Sequence, residues 1–259
     1  MATQPPADTA GEARPQLPLF YRSPEPLSSA RHGDWRLKQG DLAFAAETAF
    51  VPIVVGELAA AARNYPIVFA ADNSQPIAVL GLEARNLFVT EGRWAEDGYL
   101  PAYVRRYPFA FIATTNPDGF ALAIDTASDR VAQGGTEGEP LFADGQPTEL
   151  TKQALGFCDA FQGEATATRA FAEALASNEL LVDRRADATL PDGRRLGLDG
   201  FRVVDAEKFA QLPDELVVEW HRKGWLALVH FHLLSLERFS ALLNRQSALQ
   251  PAKAQEEVA

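Results

Sequence analysis

Two histidines near the C-terminus have a spacing that could hold a metal ion. His230 and His232 lie in the apolar segment WLALVHFHLL, residues 225–234, which we predict to be a strand. Side chains alternate between the two faces of a strand, so both imidazoles would point the same way. Sheet proteins use this arrangement to bind zinc or iron through imidazole nitrogens. His230 and His232 are therefore the candidate metal ligands of this chain.

A metal site at this pair needs a third ligand, and the only other histidines are His32 and His221. His32 begins the triplet HGD, which has the H-x-D spacing of iron-dependent oxygenases. The alternative, which we favour, is that both imidazoles form hydrogen bonds where a sheet packs against a helix. We therefore expect no cofactor, with zinc or iron as the alternative.

A second group of candidates lies in the aromatic segment NLFVTEGRWAEDGYLPAYVRRYPF, residues 86–109. Arg105 and Arg106 could each bind a carboxylate or a phosphate, because a guanidinium offers a rigid fork of donors. We predict a short helix over residues 99–106, in which adjacent side chains diverge by about 100°. One arginine should then form an ion pair with the loop that holds Glu91, Glu96 and Asp97. The other should face an anionic ligand or partner.

The aromatic residues of this segment could supply a stacking surface beside the arginines. We name Trp94 and Tyr103, together with Arg105 and Arg106, as candidate ligand-binding residues. The alternative is that the rings are core anchors, which is the more common role of such residues. For Trp94 and Tyr107 we predict the anchoring role.

Composition excludes several classes of protein. The chain has 259 residues, is 47% hydrophobic and carries a formal net charge of −11. Such a chain can bury a real core, and its charge repels phosphate backbones, so we expect no nucleic-acid partner. Its single cysteine, Cys158, rules out an intramolecular disulfide framework and a multi-cysteine zinc site.

The sequence shows no signal that would fix the cellular location of the protein. The N-terminal residues are polar and rich in proline, without the apolar stretch of a secretory signal. No run approaches the roughly 18 consecutive apolar residues that span a bilayer, so we expect no transmembrane segment. The default expectation is a cytoplasmic protein, with cell-surface association as the alternative. The oligomeric state stays open.

The order of predicted elements indicates an α+β fold with mostly antiparallel sheets packed against several helices. Strands at 67–70 and 77–82 should form a hairpin, and strands at 109–113 and 121–125 should pair across the turn at 116–119. A helix should begin after Thr148 and reach residue 177, with a break at Gln162-Gly163. Strands at 180–182 and 188–190 should pair with strands at 195–198 and 202–204 around a turn at 191–193.

We predict one compact domain over residues 17–246. Residues 1–16 have the composition of a disordered tail, and residues 247–259 that of a flexible one. The glycine-rich stretch 126–147 is the one candidate for an internal boundary.

Several pieces of the chain, in this order, resemble the SapC family of bacterial proteins. The resemblance runs over about residues 17–245, and its pieces are FVPIVVGEL, NYPIVF, NLFV, Trp94 with YLPAYVRRYPF, DGQPTE, DGFRVVDAEKFAQLPDE and GWLALVHFHLLSL. The resemblance implies an association with bacterial surface layers and their export. It provides no catalytic residues to assign.

The resemblance favours a non-enzymatic protein, a surface-layer-related or cell-envelope accessory factor that binds a protein partner or a small ligand. Two alternatives remain. One is a metal-dependent enzyme, oxygenase-like or hydrolytic, that uses His230 and His232. The other is a component of a secretion or transport system, which predicts a membrane partner.

Overall fold

The computed structural model describes residues 17–114, 119–190 and 193–248. The predicted tail 1–16 and parts of the turns at 116–119 and 191–193 lie outside these ranges. The predicted C-terminal tail also lies outside them, except for Ser247 and Ala248. These two residues are the last two of the C-terminal helix Arg238–Ala248.

The described chain is an α+β protein in which the paired strands all run antiparallel. Its helices are α1 Ser29–His32, α2 Leu58–Ala61, α3 Ala102–Arg105, α4 Glu149–Ser177, α5 Ala206–Ala210, α6 Asp214–Lys223, α7 Trp225–Ser235 and α8 Arg238–Ala248. Its strands are β1 Pro24–Pro26, β2 Arg36–Leu37, β3 Phe50–Pro52, β4 Ile67–Ala70, β5 Pro76–Val79, β6 Val89–Thr90, β7 Arg93–Trp94, β8 Phe109–Ala113, β9 Phe120–Asp125, β10 Val131–Ala132, β11 Glu139–Pro140, β12 Phe142–Ala143, β13 Gln146–Pro147, β14 Leu181–Thr189 and β15 Arg195–Val204.

A five-stranded sheet in the order β14-β15-β4-β5-β3 forms the centre of the molecule. The predicted hairpin is present, because β4 pairs with β5 and Val68 lies opposite Ile77. The four short strands predicted for 180–204 are two long ones, β14 and β15, and a register shift between Arg184 and Ala186 bends the first. The main hydrophobic core packs against this sheet.

A second, smaller core lies between the sheet β1-β9-β8 and the first half of α4. Its buried members include Phe109, Ile124, Leu141 and Cys158. The second half of α4 reaches the main core through Phe171 and Leu175. One helix thus contacts both cores, and the glycine-rich stretch 126–147 supplies the short strands β10 to β13 beside it.

Helix α4 is continuous, so the predicted break at Gln162-Gly163 is wrong. A glycine inside a helix costs only about 1 kcal/mol relative to alanine. Tertiary contacts also hold α4 immediately after this point. The Glu164 carboxylate accepts a hydrogen bond from the Gly56 N–H at 2.9 Å, and the Thr168 hydroxyl accepts one from the Val55 N–H at 2.9 Å.

Candidate functional site

The segment predicted as a strand at residues 225–234 is instead helix α7. Residues that differ by two positions lie about 200° apart on a helix, so His230 and His232 do not share a face. His230 is exposed and packs edge-on against Phe209, whereas His232 is fully buried. The prediction failed because apolar residues flank both histidines, and an apolar run of this length fits either element.

His232 joins α7 to the central sheet. Its Nδ1–H donates to the Ile67 carbonyl at 2.9 Å, and its Nε2 accepts from the Val204 N–H at 3.0 Å. Ser235 adds a hydroxyl that accepts from the Ile67 N–H at 2.9 Å. We call these contacts the His232 joint. Burial lowers the pKa of His232 to about 4, so the imidazole is neutral near pH 7.

The His232 joint resembles the alternative that we favoured from the sequence, in which imidazole binds backbone groups. The Nε2 lone pair that would bind a metal already accepts a hydrogen bond. Among the residues that the structure describes, no three or more His, Cys, Asp or Glu side chains are grouped as metal ligands are.

Arg105 and Arg106 diverge as predicted, but the ion pair predicted for the inward one is wrong. In the described part of the chain, Glu91 pairs with Arg93 at 3.5 Å and Asp97 with Arg245 at 2.6 Å. The inward residue, Arg106, instead stacks between two aromatic rings. Its guanidinium carbon lies 4.1 Å from the centre of the Tyr103 ring and 4.4 Å from that of Phe161.

Arg105 is the outward arginine. It is exposed, and its guanidinium carbon lies 5.2 Å from the centre of the Phe157 ring on α4. Its Nη2 donates to the Tyr99 hydroxyl at 3.2 Å. These contacts fix the direction of the side chain, and among the described residues only the Tyr99 hydroxyl accepts from its five N–H donors.

A buried carboxylate, Glu57, lies beneath Arg105 and was not among our candidate residues. It is 4% exposed. One carboxylate oxygen accepts from the Val54 N–H at 3.0 Å, and the other accepts from the Ala102 N–H at 2.8 Å and the Tyr99 hydroxyl at 3.0 Å. Burial raises the pKa of Glu57, although these hydrogen bonds and Arg105 oppose the shift. The sequence signal was a lone acid in the apolar run FVPIVVGEL.

These residues form a groove of about 230 Å³, which we call the Arg105 groove. One wall is the turn before α2 and the other is α4. Its lining is Val54, Gly56, Glu57, Tyr99, Ala102, Arg105, Phe157, Ala160, Phe161 and Glu164. Aromatic rings form much of the surface, with the Arg105 cation and the exposed Glu164 carboxylate at its edges.

The two aromatic candidates do not line this groove. The Trp94 indole N–H donates to the Tyr65 hydroxyl at 3.1 Å, and that hydroxyl donates to the Tyr99 carbonyl. Trp94 is half-buried against the main core. Tyr103 is 6% exposed, and its hydroxyl donates to the Leu19 carbonyl at 3.3 Å. Of the four predicted ligand-binding residues, only Arg105 lies at the groove surface.

One helical stretch in the described chain, Trp225–Ala248, is long and apolar enough to cross a membrane, judged by length and composition alone. We expected no such segment, because no run approaches roughly 18 consecutive apolar residues; the average hydropathy of this stretch is nevertheless high enough. Core helices of soluble proteins can meet the same criterion. In this structure the His232 joint fixes the first half of the stretch to the central sheet.

The fold and the groove describe an α+β protein with an aromatic surface groove. The SapC family model matches residues 27–242, which is most of the chain. The protein therefore belongs to the SapC family. No curated protein and no solved structure matches it.

Proposed function

We propose that this protein is a non-enzymatic accessory protein of the bacterial cell envelope, related to the surface layer, and that it binds a partner protein through the Arg105 groove. Membership of the SapC family supports the location, because the family is associated with bacterial surface layers. The exposed, directed guanidinium of Arg105 is the observation that carries the binding role.

The size of the groove favours a protein partner over a small molecule. Sites for small ligands usually measure about 300–1,000 Å³, and the Arg105 groove measures about 230 Å³. That volume suits one or two side chains of a partner. Arginine and aromatic residues are also the types that contribute most to protein–protein interfaces.

The chemistry of the groove indicates which side chains would enter it. Arg105 offers free N–H donors. Their strongest hydrogen bonds are those to a carboxylate, which can accept two of them in parallel. Phe157 and Phe161 offer apolar surface beside it. We therefore propose that the partner presents an aspartate or glutamate next to an apolar or aromatic residue.

Fractionation of the native bacterium tests both parts of the proposal. We expect the wild-type protein to sediment with the cell envelope and Arg105→Ala to move to the soluble fraction. Arg169→Ala is the matched control, because Arg169 is also exposed but lies outside the groove, where it contacts Thr166. A wild-type protein that is entirely soluble would contradict the location. An envelope-bound Arg105→Ala would contradict the role of the groove.

A further inference from the structure

A second concave site lies on a different part of the surface. It is a cavity of about 400 Å³, which we call the Arg130 cavity, and its lining includes Phe20, Arg22, Phe44, Tyr107, Asp129 and Arg130. It shares no lining residue with the Arg105 groove. Its volume falls within the range of small-molecule sites, about 300–1,000 Å³.

Arg130 is held in place in this cavity. Its Nη1 donates to the Tyr107 carbonyl at 2.9 Å. Its aliphatic part crosses Gly40, where a Cβ would lie 2.5 Å from the Arg130 Cγ. Any residue larger than glycine at position 40 would collide with the Arg130 side chain, so Gly40 allows Arg130 to take this conformation.

In the part of the chain that the structure describes, Arg130 has no carboxylate in direct contact, although Asp41 acts on its charge from a greater distance. No carboxylate among the described residues forms an ion pair with it, and its buried Nε has no hydrogen-bond partner there. Burial lowers the pKa of the Arg130 guanidinium, which still remains a cation near pH 7. A partly buried cation with no anion in direct contact is costly, and a bound anion would reduce that cost.

The other charges of the cavity are already engaged. Arg22 donates to the Ala127 carbonyl and lies 3.5 Å from Asp129. Asp41 also lines the cavity, and it accepts a hydrogen bond from the Ala43 N–H at 3.0 Å. Two arginines and two aspartates line the cavity. The aspartates would repel a second negative charge on a ligand, so a ligand with a single negative charge fits better than a dianion.

The remaining wall is aromatic. The ring centre of Phe44 lies 5.1 Å from that of Phe20 and 4.3 Å from that of Tyr107. Tyr107 presents its ring and not its hydroxyl, because the hydroxyl donates to the buried Asp125 at 3.0 Å. This wall would receive the apolar body of a ligand.

We propose that the Arg130 cavity binds a small monocarboxylate with an aromatic or aliphatic body. The carboxylate binds the Arg130 guanidinium, and the body packs on Phe20, Phe44 and Tyr107. This binding is independent of the Arg105 groove and of the proposed envelope function.

Benzoate and its neutral isostere benzamide test the proposal by calorimetric titration of the full-length protein. We expect saturable benzoate binding that is at least about tenfold tighter than that of benzamide, since hydrogen bonds to charged groups are the stronger ones. Arg130→Gln should weaken benzoate binding at least about tenfold. Arg105→Gln is the control and should bind benzoate as the wild type does.

A second variant covers the case in which Arg130→Gln fails to fold. Ala43 is exposed and lines the cavity, so Ala43→Trp should fill the space without touching the Arg130 contacts, and benzoate binding should be lost. Equal binding of benzoate and benzamide by the wild type would overturn the proposal. So would wild-type benzoate affinity in a folded Arg130→Gln or Ala43→Trp protein.

Discussion

The His232 joint and the Arg105 groove use polar side chains in opposite ways. At the joint, both ring nitrogens of a fully buried histidine bind backbone groups on two strands. At the groove, an exposed arginine lies against aromatic rings, and several of its N–H donors can still bind another molecule. The histidine therefore uses its hydrogen-bonding groups to stabilise the fold, whereas the arginine can use its groups to bind a partner. Stability and binding should therefore depend on different residues.

Replacement of the joint histidine should have the largest effect on stability. His232→Ala leaves a cavity and two buried backbone groups without partners, and we expect a loss of about 4 kcal/mol in the free energy of unfolding. Urea denaturation measures this change. His230→Ala on the same helix is the control and should stay within about 0.5 kcal/mol of the wild type. Equal effects of the two variants would contradict the joint.

Acid should weaken the joint in a defined pH range. The pKa of His232 falls to about 4 in the folded protein from an ordinary value of 6.5. The unfolded chain therefore binds the proton first, and stability falls as the pH drops from 6.5 towards 4, by roughly 3 kcal/mol. Unfolding measured against pH should show this loss in the wild type and not in His232→Ala. Parallel curves for the two proteins would refute the assignment.

Trp94 should contribute to the stability of the fold and not to binding. Its ring is half-buried against the main core and donates to Tyr65, so Trp94→Ala should cost about 2–3 kcal/mol, less than for a fully buried ring. Thermal melting checks this value. A melting temperature equal to that of the wild type would mean that the ring serves a ligand or partner instead.

Glu57 lies below the groove but should also act on stability. In Glu57→Gln, an amide NH₂ replaces one carboxylate oxygen. At least one of the three groups that donate to Glu57 (the Val54 N–H, the Ala102 N–H and the Tyr99 hydroxyl) then loses its acceptor. We expect a cost of about 1–2 kcal/mol. The control is Glu164→Gln at the exposed edge of the groove, which should cost less than about 0.5 kcal/mol. Chemical denaturation of both variants measures the difference. A larger loss of stability in Glu164→Gln than in Glu57→Gln would mean that Glu57 serves binding and not stability.

The elements that the sequence predicted well are those with local signals. The turn-rich loop between β4 and β5 predicts their hairpin, and Thr148 occupies the N-cap of α4 as expected. The sequence failed where distant contacts decide. Nothing near Arg106 indicates that Phe161 would cover it, and nothing near His232 indicates its bonds to Ile67 and Val204. Of the four ligand-binding candidates, Arg105 lies at the groove. Helical spacing separates it from Arg106 but does not decide which of the two faces outward.

Cross-linking from within the groove tests the central claim most directly. A photoreactive amino acid in place of Ala160, an exposed groove residue, would be activated in living cells, with position 173 on the same helix as the control. We expect one cross-linked partner from position 160, a yield at least about tenfold lower with Arg105→Ala, and no change with Arg169→Ala. Arg105→Ala itself should cost less than about 1 kcal/mol of stability. A cross-linking yield at position 160 that Arg105→Ala leaves unchanged would contradict the account.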